Sequence, residues 1–195
     1  MNRVTVVGLG LGRADLTPRG LAAIESARVL AGGERLLAWF PEHPGPKLRL
    51  KFNLAEWLEQ VAQAADQGVA VLASGDPGFY GVAAKVIERL GRDAVTVLPN
   101  VTAMAAACAR LGLAWQEARA VSLHGRDDQG PLWRALGEAD LVAAYTDPRH
   151  GPAWLAGLLL ERGQAAYWRL GVAQDLGAAE ERVGWFTPEE AVGES

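Results

Sequence analysis

The sequence predicts an α/β protein built from two small lobes, and three observations lead to this prediction. Short apolar, β-branched runs such as residues 4–7 and 69–73 have the length and composition of buried strands. Segments with apolar residues at helical spacing separate these runs, and glycine or proline stands at many of the junctions. Strands that alternate with helices are typical of an α/β fold. At 195 residues the chain has room for two such lobes, which we place at residues 1–113 and 117–195.

Composition and charge limit the classes of function. The net charge of −4 and the isoelectric point near 5.4 argue against an extended nucleic-acid surface, so we expect no nucleic-acid partner. The lone Cys108 excludes an internal disulfide and a cysteine metal cluster, which fits a reducing, cytoplasmic location. No apolar run reaches the roughly 18 residues of a membrane span, so we expect no membrane partner. The three histidines lack metal-ligand spacing, and we predict no metal site.

The first strand, residues 3–7, runs into the glycine-rich loop 8–13. A dinucleotide fingerprint requires its third glycine where Arg13 stands, and a following strand that ends near a ribose-binding acid. The next predicted strand, residues 27–31, ends in two glycines instead. We therefore reject a nicotinamide cofactor, and the lack of a Gly-x4-Gly-Lys-Ser/Thr run excludes a P-loop. What remains is an open loop on which a ligand can lie.

Capping residues mark two helices that precede the centre of the chain. Thr17 caps a helix with proline at its first position, and Asn53 caps another whose apolar 3.6-residue spacing ends at Gly68. Between these helices we predict a short helix over residues 34–40. Residues 41–51 hold three prolines and are predicted as a surface loop.

The chain is organised around the turn that follows the strand of residues 69–73. Residues 74–78, Ser-Gly-Asp-Pro-Gly, lie at the carboxyl end of that strand, where open α/β folds bind ligands. Asp76 and Pro77 also suit the cap and first turn of a helix that closes at Gly91. The turn taken alone therefore allows two interpretations, a well-made helix start and a ligand site.

Polar residues follow further strand ends along the chain. Thr102 comes after the strand of residues 94–98 and is either the cap of an alanine-rich helix or a ligand contact. Cys108, in the middle of that helix, is predicted to lie in the core. In the second lobe we predict strands over residues 119–123, 140–145, 165–170 and 182–186, and helices over residues 131–136 and 152–162.

Five runs, in this order along the chain, resemble the tetrapyrrole methylase family, and most closely its branch that methylates C5 in cobalamin synthesis. The runs are residues 6–12 with Leu16-Thr17, residues 73–81, residues 99–103, residues 122–126, and Leu176-Gly177 with Glu181-Arg182. The central run and Ser-Leu-His-Gly-Arg are together specific, whereas the glycine loop alone is not. The resemblance implies two α/β lobes with the cofactor folded into the cleft between them.

The same resemblance implies an S-adenosylmethionine-dependent homodimer that methylates C5 of precorrin-7 or its cobalt form. It assigns to the cofactor Leu9, Ser74, Gly75, Asp76, Phe79, Thr102 and Ala103, with Tyr145 from the second lobe. It assigns to the macrocycle the glycine loop with Gly10 and Leu11. In the family, C5 methylation is coupled to C15 methylation and decarboxylation. We expect a separate protein to supply that second activity, because these runs leave no second cofactor loop.

A substrate with many carboxylates requires cations in an otherwise acidic protein. Arg13, Arg126 and Arg149 each follow a predicted strand end and are the candidates for this contact; the alternative is that each is a solvated loop arginine. Methyl transfer from a sulfonium requires positioning rather than a nucleophile, so we assign no catalytic nucleophile. His124 is the candidate base for a later proton removal, with water or a substrate carboxylate as alternatives.

Two positions depart from the family pattern. Leu11 stands where the family usually has proline, and Asn100 stands where it usually has glycine. We expect Asn100 to hold a left-handed backbone, which asparagine tolerates best among residues other than glycine. Three alternative functions stay open: methylation at another macrocycle position, methylation of ribosomal RNA by the same fold, and ligand binding without catalysis.

Overall fold

The structure is a computed structural model that describes residues 4–193. The chain divides into two compact units, Met1–Ala103 and Met104–Ser195. Most of the helix over residues 103–111 is therefore grouped with the second unit, although the sequence places it in the first lobe. The limits that we predict for the lobes, 1–113 and 117–195, stay a prediction of the functional division.

The first unit is built on a five-stranded parallel sheet. Its strands are β1 (Val4–Gly8), β2 (Val29–Gly33), β3 (Lys47–Leu50), β4 (Val69–Ala73) and β5 (Val95–Leu98), in the spatial order β3-β2-β4-β1-β5. Every pairing is parallel, with Val6 opposite Val71 on one side and Val97 on the other. Strands β1 and β4 are almost wholly buried, as expected for a parallel sheet that is covered on both faces.

Helices cover both faces of this sheet. They are α1 (Pro18–Ser26), α2 (Glu34–Leu37), α3 (Leu54–Ala64) and α4 (Ala83–Leu90). One core cluster includes Trp57 of α3 and Val86 of α4, and a second includes Ile24 of α1 and Leu37 of α2. The predicted caps are confirmed, because Thr17 Oγ1 accepts a bond from Gly20 N–H and Asn53 Oδ1 accepts one from Glu56 N–H.

Two expectations for the first unit are wrong. Residues 41–51 are not only a loop, since β3 forms there and Leu48 and Leu50 pack against the core. The indole Nε1–H of Trp57 donates to the Leu48 carbonyl over 3.0 Å, which holds this edge strand to α3. The helix after the central turn begins at Ala83, so Asp76 is not its cap. Tyr80 has φ of 52°, which interrupts a helical path through residues 74–82.

The second unit contains two small sheets. Strands β6 (Arg119–Ser122) and β7 (Val142–Tyr145) are parallel, and β8 (Leu170–Gln174) and β9 (Arg182–Phe186) are antiparallel. Its helices are α5 (Ala103–Leu111), α6 (Gly130–Glu138), α7 (Pro152–Glu161) and α8 (Pro188–Ala191). The strand predicted over residues 165–170 is wrong, because Ala165–Tyr167 form a 3₁₀ turn and β8 starts only at Leu170. Tyr167 N–H donates back to Gln164, which closes that turn before the strand begins.

The described part of the chain contains neither a membrane-spanning helix nor a cluster of metal ligands. Within residues 4–193, no helix combines the length and apolar character that crossing a bilayer requires. The same residues contain no group of three or more histidine, cysteine, aspartate or glutamate side chains placed to hold a metal ion.

Candidate active site

Three loops lie at one edge of the first sheet, because they follow the neighbouring parallel strands β4, β1 and β5. The loops after β1 and β4 are bonded directly to each other. Gly75 N–H donates to the Gly10 carbonyl over 2.8 Å, and Gly10 N–H donates to the Gly75 carbonyl over 3.3 Å. Both residues have positive φ, 65° at Gly10 and 61° at Gly75, which favours glycine. The central turn is therefore fixed against the glycine loop.

Asp76 ties the central turn to the loop after β5. Its Oδ1 accepts a bond from Gly78 N–H over 2.8 Å, and its Oδ2 accepts one from Asn100 N–H over 3.0 Å. Both carboxylate oxygens are thus bonded to backbone. This role explains the aspartate at this position better than the predicted helix cap does.

Asn100 reaches the loop after β1. Its Nδ2 donates to the Gly8 carbonyl over 2.9 Å and to the Asp15 carbonyl over 3.0 Å, while its Oδ1 accepts from Val101 N–H over 2.8 Å. The expectation of a left-handed backbone at Asn100 is wrong, since Tyr80 and Asp175 are the described non-glycine residues with positive φ. Asparagine at this position instead contributes the hydrogen bonds of its side-chain amide.

The glycine loop has no room for side chains at two positions. A Cβ on Gly8 would lie 2.8 Å from the Gly75 carbonyl oxygen and 2.9 Å from Asn100 Cβ, and one on Gly10 would lie 2.5 Å from Asp15 Cβ. Leu11 N–H donates to Asp15 Oδ2 over 2.9 Å. Proline has no N–H, so the leucine that departs from the family pattern makes a bond that proline cannot make.

The structure brings most of the predicted cofactor residues of the first unit to this edge. Ser74 is exposed, and Gly75, Asp76, Phe79, Thr102 and Ala103 are half-buried. An ideal Cβ on Gly75 would lie 3.9 Å from Thr102 Cα, which places these two loops side by side. Leu9 differs, because it is fully buried in the core beneath the loop. A buried side chain at this position supports the loop, and the assignment of Leu9 to the cofactor stays a prediction.

Tyr145 stands at the end of β7 in the second unit. Its hydroxyl oxygen accepts a bond from Met104 N–H over 3.1 Å. The first N–H groups of a helix lack partners within the helix, so this contact satisfies one of them in α5. No local sequence pattern indicates this contact, because 41 residues separate the two partners.

Asp147 joins the two loops that follow β6 and β7, and sequence reasoning missed it. Its Oδ2 accepts from Gly125 N–H over 2.7 Å, and its Oδ1 accepts from the N–H groups of Arg149 and His150, each over 2.8 Å. These donors, Gly125 first and then His150, hold the pKa of the Asp147 carboxyl far below its usual range. The one local sign of this role in the sequence is the pair Asp147-Pro148, because aspartate before proline is typical of a turn whose backbone the aspartate bonds.

The two histidines of these loops differ in environment. His150 is buried, with Nδ1 3.2 Å from Asp147 Oδ1, Nε2 3.7 Å from Asp127 Oδ1, and its ring edge-on to Trp154. His124 is exposed, and its Nδ1 lies 3.4 Å from the Thr146 carbonyl oxygen. His150 is thus bound into the loop structure, whereas His124 is open to a ligand or solvent.

The three candidate arginines have unequal partners. Arg13 lies 3.4 Å from a Glu42 carboxylate oxygen and over the Phe40 ring, and Arg149 lies 3.6 Å from Asp127. Arg126 is exposed after β6 and forms no ion pair with a carboxylate within residues 4–193. Arg126 is consequently the candidate whose charge is least neutralised by the protein.

Acid should destabilise the wild-type protein partly through Asp147. Because folding lowers its pKa, Asp147 stabilises the fold above the unfolded value of about 3.9, and this stabilisation is lost as the pH falls below that value. We expect Asp147→Asn to have a lower urea midpoint of unfolding than wild type at pH 7. When the pH is lowered from 7 to 3, the midpoint of the variant should fall less than that of wild type. Asp93→Asn, at an exposed position, is the control. An unchanged drop in Asp147→Asn would contradict the assignment.

Comparison with known proteins gives consistent similarities. Residues 3–191 match the sequence model of the tetrapyrrole (corrin/porphyrin) methylases. The chain is 36% identical over 184 residues to the cobalt-precorrin-7 C(5)-methyltransferase of Salmonella typhimurium, covering 94% of this chain and 90% of that protein. It is 34% identical over 185 residues to the decarboxylating precorrin-6Y C(5,15)-methyltransferase of Sinorhizobium sp, covering 92% of this chain but 44% of that protein.

Solved structures show the same fold. The structure of the methyltransferase CobJ superposes with a TM-score of 0.77 and 25% sequence identity, covering 96% of this chain and 87% of that chain. The similarity therefore extends across both compact units.

Proposed function

This chain belongs to the tetrapyrrole (corrin/porphyrin) methylase family, and from that premise we propose that it transfers a methyl group from S-adenosylmethionine to C5 of precorrin-7 or cobalt-precorrin-7. The observation that carries the proposal is the 36% identity to a C5-methyltransferase over nearly the full length of both chains. The three bonded loops at the carboxyl edge of the first sheet support it, because they form the kind of turn-lined edge at which α/β folds bind ligands.

The residues of the central turn fit a bound S-adenosylmethionine. An ideal Cβ on Gly75 would be in van der Waals contact with the Val101 carbonyl oxygen at 3.7 Å, and the half-buried glycine leaves part of its backbone accessible to a ligand. Ser74 offers an exposed hydroxyl, and Phe79 offers a half-buried ring. Ser74, Gly75, Phe79 and Thr102 are the residues that we propose hold the cofactor, with Asp76 keeping the turn in shape.

The cofactor supplies an electrophilic methyl group on a sulfonium, so the protein has mainly to orient the two reactants. Positioning of this kind supplies roughly 7–11 kcal/mol of a barrier when the reacting atoms are held at attack distance. The two bonds between Gly10 and Gly75, and the bonds that the Asp76 carboxylate accepts from Gly78 and Asn100, hold the turn in shape through the protein's own groups. Preformed backbone of this type lowers the cost of ordering a ligand.

Cys108 and His124 carry reactive side chains, and methyl transfer needs neither of them as a nucleophile. Cys108 is buried in α5, and desolvation raises the pKa of its thiol, which disfavours the thiolate. His124 is exposed at the end of β6 and is the base that we propose for proton removal after methyl transfer. Water or a substrate carboxylate is the alternative acceptor.

The proposal predicts one methyl group per product molecule and no release of carbon dioxide. The decarboxylating relative is more than twice the length of the segment that this chain matches. We therefore propose that a separate C15-methyltransferase and decarboxylase acts with this protein. Purified protein, S-adenosylmethionine and an advanced precorrin should give a mass gain of one methyl, at C5 by NMR. A methyl at another carbon would support the alternative of a different macrocycle position, and a lost carboxyl would contradict the single activity.

Three further features are supported by the sequence and stay predictions. The isoelectric point near 5.4 disfavours a ribosomal RNA substrate. A homodimer is implied by the family resemblance, and light scattering of the purified chain tests it. A cytoplasmic location agrees with the single buried cysteine, Cys108.

A further inference from the structure

We propose that Asn100 is a positioning residue of the cofactor site, which sets the central turn against the glycine loop through its side-chain amide. The inference rests on the proposed function, because it concerns the same site. Asn100 contacts three segments at once: its backbone N–H bonds Asp76, and its Nδ2 bonds the carbonyls of Gly8 and Asp15.

The side-chain amide of Asn100 supplies a hydrogen bond that the backbone of Pro99 cannot donate to β1. The pairing of β1 with β5 ends at Val7 opposite Leu98, and the next residue after β5 is Pro99, which has no N–H to donate. The Gly8 carbonyl lies just beyond this last pair, and Asn100 Nδ2 donates to it over 2.9 Å. The side chain therefore extends the β1–β5 contact while the backbone turns away from the sheet.

The same NH₂ group closes the glycine loop from its far end. The Asp15 carbonyl ends the 3₁₀ turn Arg13–Asp15, and Asn100 Nδ2 donates to it over 3.0 Å. Asp15 Oδ2 in turn accepts from Leu11 N–H. One primary amide thus holds both ends of the loop that the family resemblance assigns to the macrocycle, and its own backbone holds the turn assigned to the cofactor.

A glycine at position 100 lacks this donor. The carbonyls of buried Gly8 and half-buried Asp15 would then require water or a shifted loop to satisfy them. Because the two loops touch at Gly10 and Gly75, a shift of the glycine loop would move the central turn as well. Affinity for the cofactor should therefore depend on the Asn100 amide, although Asn100 itself contacts no ligand in this proposal.

The test is Asn100→Asp, which keeps the shape but replaces the donor with an acceptor. At pH 8 the new carboxylate faces the carbonyls of Gly8 and Asp15, and Asp15 and Asp76 are the charged residues that position 100 contacts directly. We expect calorimetry to show S-adenosylhomocysteine binding about 30-fold to 100-fold weaker than in wild type, since a lost donor and a repulsive contact act together. The surrounding carbonyls and carboxylates raise the pKa of the new carboxyl, so at pH 5.5 a protonated fraction regains one of the two donors, and part of this loss should be recovered.

Asn53→Asp is the matched control, because the same change at a helix cap keeps an acceptor where one is needed. It should bind as wild type does at both pH values. An Asn100→Asp protein with unchanged affinity, or with a loss that low pH does not relieve, would overturn the inference. A folding or packing defect alone would not be relieved by acid. Failure of wild-type protein to bind the probe would instead count against the proposed function.

If Asn100→Asp does not fold, as judged by circular dichroism, Asn100→Gly decides the question. It removes both Nδ2 bonds, and the bond that Oδ1 accepts from Val101 N–H, without adding charge. We expect about 5-fold to 10-fold weaker binding from the loss of a typical net hydrogen-bond contribution. Wild-type affinity in Asn100→Gly would overturn the inference.

Discussion

Gly8→Ala is expected to weaken S-adenosylmethionine binding about 5-fold to 150-fold, because overpacking of a closed contact costs about 1–3 kcal/mol. The added Cβ would lie 2.8 Å from the Gly75 carbonyl oxygen, 2.8 Å from Pro77 Cδ and 2.9 Å from Asn100 Cβ. None of these atoms is the end of a flexible side chain. The central turn and the loop after β5 must therefore both move away from β1. Calorimetry with S-adenosylmethionine measures the effect.

Gly33→Ala is the control for this prediction. Gly33 also ends a strand of the same sheet, its φ is −66°, and an added Cβ would meet no atom within 4 Å. The control should bind the cofactor like wild type. Wild-type affinity in Gly8→Ala would show that the close approach of the three loops is not needed for binding.

Arg126→Ala is expected to raise the KM for the tetrapyrrole about 10-fold to 30-fold, the size of one charge-assisted bond to a carboxylate. Arg126 is exposed, and within the described residues it has no carboxylate partner that would compete with the substrate. The backbone beside it is held by Asp147, whose Oδ2 accepts from Gly125 N–H. The affinity for S-adenosylmethionine should stay nearly unchanged. Initial rates at varied substrate, together with calorimetry for the cofactor, separate the two effects.

Arg149→Ala provides an internal comparison. Arg149 already lies 3.6 Å from Asp127, so its loss should raise the substrate KM less than the loss of Arg126. Arg92, whose side chain donates to the Val95 carbonyl in the first unit, is a distant control. If Arg126→Ala weakens cofactor binding as strongly as substrate binding, the residue is structural and its assignment to the substrate is wrong.

The sequence predicts the parts of the fold that depend on local chemistry. Thr17 and Asn53 cap their helices as predicted, because a cap needs only a side-chain oxygen three residues before the N–H that it bonds. The strand Val69–Ala73 is predicted to the residue, since five consecutive apolar residues between glycine and serine favour a buried strand. β3 is missed because Lys-Leu-Arg-Leu is short and becomes a strand only through its pairing with β2.

The location of the candidate site is predicted from the sequence, but the hydrogen bonds that hold its loops together are not. The residue types at the strand ends indicate a ligand site, and the family resemblance assigns residues to it. The partners of Asp76 and Asn100 are 24 and 92 residues away, so no local pattern reveals them. Asp147 is missed for the same reason, because its Gly125 partner is 22 residues earlier on another loop. Side chains that bond distant backbone become visible only when the loops are placed together.

The strand order also determines when the first unit can form during synthesis. β1 leaves the ribosome first, yet its neighbours are β4 and β5, whose residues Val69 and Val95 lie opposite Val4. At about 5–20 residues per second, roughly 5 to 20 s pass between translation of β1 and translation of β5. Until β4 is translated, roughly 3 to 13 s after β1, the apolar surface of β1 has neither of these partner strands, and for the rest of the interval it lacks β5. The nascent chain, rather than the finished protein, is therefore the form that chaperones must protect from aggregation.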